Sequence, residues 1–316
     1  MKLTKNDIEK ITYGALRITE SKGKFNFYRF SEEQHDVYER EYPEFRRRAE
    51  GTASVSLDFY TDSEFISFSY LTESKAGPLI NYAFIDVWVD GMMVAHLGEY
   101  HNTARERYDT VKLPEGEKRV TLYLPTMFKT TLWDIELSDG ASIKPLKKKY
   151  KALILGDSIT HGYDAHFASL TYANTVIREL ELDAVNQAIG GEVFRPTILG
   201  TVPLFKPDFI TVALGTNDWG GHPAADEYFK KLVELYPDTR IFYISPIWRV
   251  SANDAFYASV EKYEQIARSY GVEVIPGLKL LHNMPEMYTD GLHPSDLGFT
   301  QYANSLIKAL RKFGIN

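Results

Sequence analysis

The sequence predicts an all-β sandwich followed by an α/β domain built on an open parallel sheet. Three observations carry this. The chain has 316 residues, enough for two domains at roughly 100–200 residues each. Short apolar runs broken by turn signals fill residues 1–140, whereas after residue 150 buried runs alternate with segments of helical period. Between them the stretch 141–150 is polar and contains the run Lys147, Lys148 and Lys149, which reads as a solvated linker. The expected domains are therefore 1–140 and 151–316, joined by 141–150.

In the first half, Ala53, Val55, Leu57 and Phe59 recur two apart, the period of a half-buried strand. Residues 65–70, 82–89 and 119–124 carry further strand-like runs. Asp90-Gly91 stands between two apolar runs, a hairpin signal. Many short strands at this spacing predict a β-sandwich. In the second half, the apolar runs 152–155, 209–214, 241–244 and 272–275 read as buried parallel strands. Ala225, Tyr228, Phe229, Leu232, Val233 and Tyr236 follow helical spacing, as do Phe299, Tyr302, Ala303, Leu306, Ile307 and Leu310. Alternating strands and helices predict an open α/β sheet, whose ligands bind beyond the C-terminal strand ends.

Composition excludes several classes of function. Hydrophobic residues make up 44% and charged residues 25%, which rules out a disordered chain. The net charge of −7 argues against a nucleic-acid binder, which needs cationic groups to neutralise phosphates. Cysteine is absent, so no thiolate nucleophile or Cys-based zinc site exists. No apolar run reaches the roughly 18 residues of a membrane span. The first 14 residues carry charges at Lys2, Lys5, Asp7, Glu9 and Lys10 where a signal peptide has its apolar core, so a cytoplasmic location is expected.

Four segments carry chemistry. In Leu153-Ile-Leu-Gly-Asp-Ser-Ile-Thr-His-Gly162, a buried strand runs into a polar turn that places Ser158 at the mouth of the sheet. This is neither the G-x-S-x-G elbow of α/β-hydrolases nor a P-loop. After a short strand, Asn186 is followed by Gly190 and Gly191, where backbone can approach a ligand and leave an N–H free to donate. The strand run 210–214 ends in a turn carrying Asn217, whose amide is able to stabilise an oxyanion. In Tyr288-Thr-Asp-Gly-Leu-His-Pro-Ser-Asp296, Asp290 lies three residues before His293, close enough to orient its ring. Taken singly, each segment also reads as an ordinary turn; a metal site would need a third ligand such as His282.

Together the four segments resemble the GDSL, or SGNH, hydrolase family over roughly residues 151–316, in the family's order. The resemblance implies a flavodoxin-like, three-layer α/β/α sandwich. It implies Ser158 as nucleophile, His293 as base and Asp290 as its partner. The backbone N–H groups of Ser158 and Gly191 and the Asn217 side chain form the implied oxyanion hole. Gly191 is preferred to Gly190 because the family's donor glycine follows the Asn by five residues. No metal or organic cofactor is implied. An N-terminal, jelly-roll-like sandwich on such a domain resembles the family 2 carbohydrate esterases, some of which lack the triad Asp that is present here as Asp290.

The expected activity is a serine esterase acting on short-chain acyl esters, foremost O-acetyl groups on carbohydrates. The partner is then a small-molecule or oligosaccharide ester, with no nucleic acid and no membrane. The alternative is a lysophospholipase or thioesterase of the same family. A non-catalytic glycan-binding protein is the reading of a different class, and the complete Ser, Asn, Asp and His set argues against it. Trp248, just beyond the 241–244 strand, and Trp219, beside Asn217, are candidates for stacking on a sugar or walling an acyl pocket. Aromatics divide as 22 in residues 1–150 and 21 in residues 151–316, so they do not single out the first half for glycan binding. A structural role is expected for that half, with glycan binding, cover of the active site and homo-oligomerisation as alternatives.

Overall fold

In a computed structural model, which describes residues 1–74, 82–100, 105–200, 205–218 and 222–316, the alternating runs of the first half form two antiparallel sheets. One has the order β1 (Thr12–Tyr13), β4 (Ser56–Thr61), β9 (Lys118–Tyr123), β6 (Ala83–Val89) and β7 (Met92–Glu99). The other runs β2 (Arg17–Ser21), β3 (Lys24–Tyr28), β10 (Phe128–Leu137), β5 (Phe65–Ser74) and β8 (Arg107–Lys112). The alternation explains the pairing. Leu57, Phe59, Val87 and Leu122 of the first sheet meet Phe27, Ile66, Phe68 and Leu132 of the second in one core. The β6–β7 hairpin closes through Asp90 and Gly91, both at positive φ (46° and 82°), with Val89 paired to Met92. This is the turn that Asp-Gly favours.

The first half also holds three helices that strand periodicity did not predict: α1 (Lys5–Ile11), α2 (Glu32–Glu41) and α3 (Pro43–Arg48). Their signal is in the caps. Thr4 with Asp7 and Ser31 with Gln34 form capping boxes ahead of α1 and α2, and Pro43 opens α3. In the stretch 141–150, Lys144, Pro145, Lys147 and Lys149 are exposed, as in a solvated linker, but the segment is also tied to the first half. Its strand β11 (Lys144–Pro145) pairs with β4, and Lys148 is buried against Asp58, 2.6 Å from its Oδ2. Burial would raise the Asp58 carboxyl, but Arg119 and Lys148 outweigh it and hold its pKa below the ordinary value.

The second half is a parallel sheet of order β13 (Leu182–Asn186), β12 (Tyr150–Gly156), β14 (Phe209–Ala213), β15 (Arg240–Ile244) and β16 (Glu273–Ile275). Counted from β12, that is 2-1-3-4-5, the flavodoxin-like winding. Its strands are mostly apolar in their central residues because both faces are covered. Ala152, Ile154, Phe209 and Phe242 face one core with α5 (Tyr172–Glu179) and α8 (Asp296–Lys312). Leu153, Leu155, Ile210 and Tyr243 face the other with α6 (His222–Leu235) and α7 (Asp254–Ser269). At the end of β12 the chain enters the short helix α4 (Ser158–His161), capped by Asp157, whose Oδ1 accepts the Ile159 N–H at 3.0 Å.

The two halves share a buried junction. Phe30, Tyr38, Phe45 and Ala49 pack with Ile189 and Ile198. Gln34 and Gln187 exchange side-chain hydrogen bonds, and Tyr38 donates to Glu192 Oε2 at 2.7 Å. Arg29, fully buried, donates to the carbonyls of Gly51 (2.6 Å), Ala188 (3.1 Å) and Asn186. Burial pushes its pKa down to about 9.

Two outcomes follow from these buried polar groups. Arg29→Met takes a donor from three buried carbonyls, so the unfolding free energy should fall by about 3 kcal/mol; an unchanged urea midpoint would contradict this. Burial pushes the Asp157 carboxyl up to about 7 from 3.8. The folded protein therefore holds a proton across that window that the unfolded chain has released, and stability declines as pH rises through it. Asp157→Asn keeps the acceptor for Ile159 and removes the titration. Its Tm should gain on that of the wild type between about pH 4 and 7, and parallel Tm profiles would refute the assignment.

Candidate active site

Three neighbouring strands, β12, β13 and β14, deliver the site at their C-terminal ends, where the order of the sheet reverses. Ser158 follows β12 as the first residue of α4, so its N–H has no intrahelical acceptor. Gly190 and Gly191 follow β13, and Asn217 follows β14. Asp290 and His293 come from the turn ahead of α8, which Ser295 caps.

These groups converge. Ser158 Oγ lies 2.8 Å from His293 Nε2, and His293 Nδ1 lies 2.8 Å from Asp290 Oδ2. Asp290 Oδ1 accepts the N–H groups of His293 (2.8 Å) and Leu292 (2.9 Å). Burial raises the Asp290 carboxyl, but the hydrogen bonds from His293 and Leu292 prevail and its pKa stays below the ordinary value. Ser158 and His293 are buried, with 7% and 9% of their surface exposed. A serine is thus hydrogen-bonded to a ring nitrogen, and an ionised carboxylate holds the other nitrogen. This arrangement is able to activate the hydroxyl as a nucleophile.

The glycine pair is placed with equal definition. The Gly190 N–H donates to His161 Nδ1 at 3.1 Å, whereas the Gly191 N–H has no protein acceptor among the described residues. Gly191 adopts φ +83°, which favours glycine. His161 is fully buried. Burial, together with the charges of Arg29 and Arg48, keeps its pKa well below the ordinary value, so the ring is neutral and Nδ1 remains an acceptor. Its role is in the protein framework. Asn217 donates one amide N–H to the Glu192 carbonyl at 2.9 Å, which orients the group while leaving its second N–H.

A cleft of about 260 Å³ opens over Ser158, Tyr163, Gly190, Gly191, Asn217, Leu292 and His293. The Tyr163 ring lies 4.2 Å from that of His293. Arg48 and Met127 complete the lining, and both belong to the first half. Neither was expected from the sequence, because nothing in its periodicity brings α3 or the β9–β10 turn to the strand ends. The first half therefore covers one side of the cleft, one of the alternatives to a purely structural role. Trp248 does not line the cleft. It is half-buried in the core beside α8, with its ring 5.5 Å from Tyr288, because β15 lies one strand beyond the three that surround Ser158. Trp219 lies outside the described residues.

Residues 154–300 match the GDSL-like lipase/acylhydrolase family. No curated protein matches the chain in sequence. Among solved structures, a salicylyl-acyltransferase from a tetracycline biosynthetic pathway is similar, with 22% identity over 96% of this chain and 94% of that one, TM-score 0.77. A family two carbohydrate esterase from Clostridium thermocellum, in complex with cellohexaose, matches with 15% identity over 96% and 99% of the chains, TM-score 0.68. An acetyl xylan esterase from the rumen bacterium Butyrivibrio proteoclasticus matches with 17% identity over 83% and 91%, TM-score 0.62. At these identities the likeness is one of fold, and it spans both halves of the chain. The match to the GDSL-like lipase/acylhydrolase family thus falls on residues 154–300, the part of the C-terminal α/β half that contains Ser158, Gly191, Asn217, Asp290 and His293.

Proposed function

We propose that the chain is a serine esterase that hydrolyses short-chain acyl esters, with O-acetyl groups on carbohydrates as the substrate class. The observation that carries this is the continuous relay from Ser158 Oγ through His293 to Asp290, with 2.8 Å at each step, at the base of a cleft of about 260 Å³. A cleft of that size falls just below the usual range of small-molecule sites, about 300–1,000 Å³, and suits a short acyl group better than a long chain. The fold shared with an acetyl xylan esterase and a family two carbohydrate esterase supports the carbohydrate reading. A cytoplasmic setting is part of the proposal. Among the described residues no helix is long and apolar enough to cross a membrane.

In the proposed reaction, Ser158 Oγ attacks the ester carbonyl carbon while His293 Nε2 takes its proton. The carbonyl oxygen becomes an oxyanion, which the N–H groups of Ser158 and Gly191 and the Asn217 amide receive. The ester C–O bond breaks as His293 returns the proton to the leaving alcohol, leaving an acyl-serine. Water then attacks that acyl carbon, His293 takes the water's proton and returns it to Ser158 Oγ, and the carboxylic acid departs. Asp290 stays ionised and stabilises the imidazolium. A second reading is transfer of the same acyl group to an alcohol in place of water, which the fold shared with the salicylyl-acyltransferase brings into view.

Hydrolysis of p-nitrophenyl acetate, butyrate and octanoate tests the proposal. The acetate ester should turn over fastest, and Ser158→Ala should abolish turnover of all three. Octanoate preference would replace the short-acyl reading, and a yield of transesterified alcohol exceeding free acid would favour transfer. Asn217→Ala should fold normally and lose about 10²–10³-fold in kcat, as removal of one oxyanion donor does; unchanged kcat would remove Asn217 from that role. His293 must be neutral to accept a proton, while Asp290, with its lowered pKa, remains a carboxylate. The acid limb of kcat/KM should therefore show a single protonation, with slope one in log(kcat/KM) against pH, and a slope of two would contradict it.

A further inference from the structure

The Gly190–Gly191 peptide presents two groups that matter in opposite ways. Its N–H belongs to Gly191, which lines the cleft, and has no acceptor among the described residues, whereas its carbonyl oxygen belongs to Gly190 and accepts a hydrogen bond from Arg48 Nη1 at 2.5 Å. A trans peptide holds C=O and N–H pointing in opposite directions within one rigid plane. Fixing the oxygen therefore fixes the direction of the N–H. Between two glycines such a plane rotates with little steric resistance. Rotation would turn a carbonyl oxygen toward the developing oxyanion, replacing attraction with repulsion.

From this geometry we infer that Arg48 is a positioning residue for the oxyanion hole, acting through the Gly190–Gly191 peptide. The inference rests on the esterase reading and extends it to the first half of the chain. Several features suit Arg48 to this role. Among the described residues no carboxylate pairs with it, and its Nε is buried without a partner. Its guanidinium carbon stands 5.2 Å from the centre of the Phe45 ring, which limits its movement. A Cβ on Gly191 would meet Arg48 Nη1 at 3.0 Å, so the guanidinium closes over the glycine. Among the described residues Arg48 is also the only Lys, Arg, Asp or Glu that lines the cleft. A cation on the carbonyl oxygen draws electron density through the amide and makes the N–H at its other end a stronger donor.

The loop around this peptide is braced from the same side. Tyr38 holds the Glu192 side chain, Arg195 pairs with the same carboxylate at 2.8 Å, and Arg195 in turn lies 3.5 Å over the Tyr42 ring. These contacts fix the loop as a whole. Arg48 alone among them grips the peptide that carries the Gly191 N–H, so its loss should act on the transition state more than on folding.

The experiment compares wild type, Arg48→Gln and Arg48→Lys by two readouts. One is kcat and KM on p-nitrophenyl acetate and on a carboxylate-bearing ester, mono-p-nitrophenyl succinate. The other is the rate of Ser158 phosphonylation by a fluorophosphonate, followed by intact mass. Arg48→Gln should lower kcat and the phosphonylation rate by about 10- to 100-fold, with KM within twofold, because a donor is misdirected but not removed. Arg48→Lys, whose ammonium still donates to the Gly190 carbonyl, should recover part of the loss and guards against a folding defect in the glutamine variant. Unchanged kcat and labelling in Arg48→Gln, with an active wild type, overturn the inference alone. So does a rise in KM confined to the succinate ester, which would assign Arg48 to binding a substrate anion. If the wild type shows neither Ser158-dependent hydrolysis nor labelling, the esterase reading falls and the inference falls with it.

Discussion

Beyond β13 the chain leaves the sheet to reach the cleft, and in doing so it buries carbonyls that no strand can pair. Arg29 meets that demand from the first half of the chain, donating to Asn186, Ala188 and Gly51 together. A buried guanidinium is unfavourable by itself, but three carbonyl partners offset its desolvation and give the loop one conformation. The same charge stands 3.3 Å from His161 Nε2 and helps keep that ring neutral. A neutral ring leaves Nδ1 to accept the Gly190 N–H. The definition of the glycine pair thus descends from Arg29 through His161, and Arg48 completes it from the carbonyl side.

The parallel sheet explains why the candidate site can be assembled from segments so distant in sequence. Adjacent strands β12, β13 and β14 end at one edge, so the residues that follow them become neighbours. The central strands β12, β14 and β15 send apolar side chains to both faces because helices cover both, and that leaves the ends as the place where polar side chains can collect. His293 and Asp290 enter from the turn before α8. The backbone N–H groups of Leu292 and His293 hold the carboxylate there while it holds the ring. A turn that forms its own hydrogen bonds arrives at the cleft preorganised.

The parts legible in the sequence were those that a local rule encodes. Period-two alternation located β4, a strand-like apolar run located β6, Asp90-Gly91 located the hairpin, and continuous apolar runs located β12, β14 and β15. The helices of the first half escaped the strand rule. In α2 the buried residues are Gln34, His35 and Tyr38, and this polar set gives no clear apolar stripe. Its capping box was the available signal. In the lysine run, Lys147 and Lys149 are exposed as expected, and only Lys148 departs from the reading. Whether a lysine is solvated depends on whether a buried carboxylate such as Asp58 awaits it, and that is a property of another strand.

The sequence by itself named the candidate set, Ser158, Gly191, Asn217, Asp290 and His293, through four short segments that resemble a known hydrolase family in their order. It also determined that an α/β sheet carries them. The close approach of Arg48 and Met127 to that set, the packing of Trp248 away from it, and the grip of Arg29 on the β13 loop were settled only when the two halves docked. Periodicity records which face of an element is buried. It holds no record of which distant surface does the burying, since that depends on shape and hydrogen-bonding partners brought together from opposite halves of the chain.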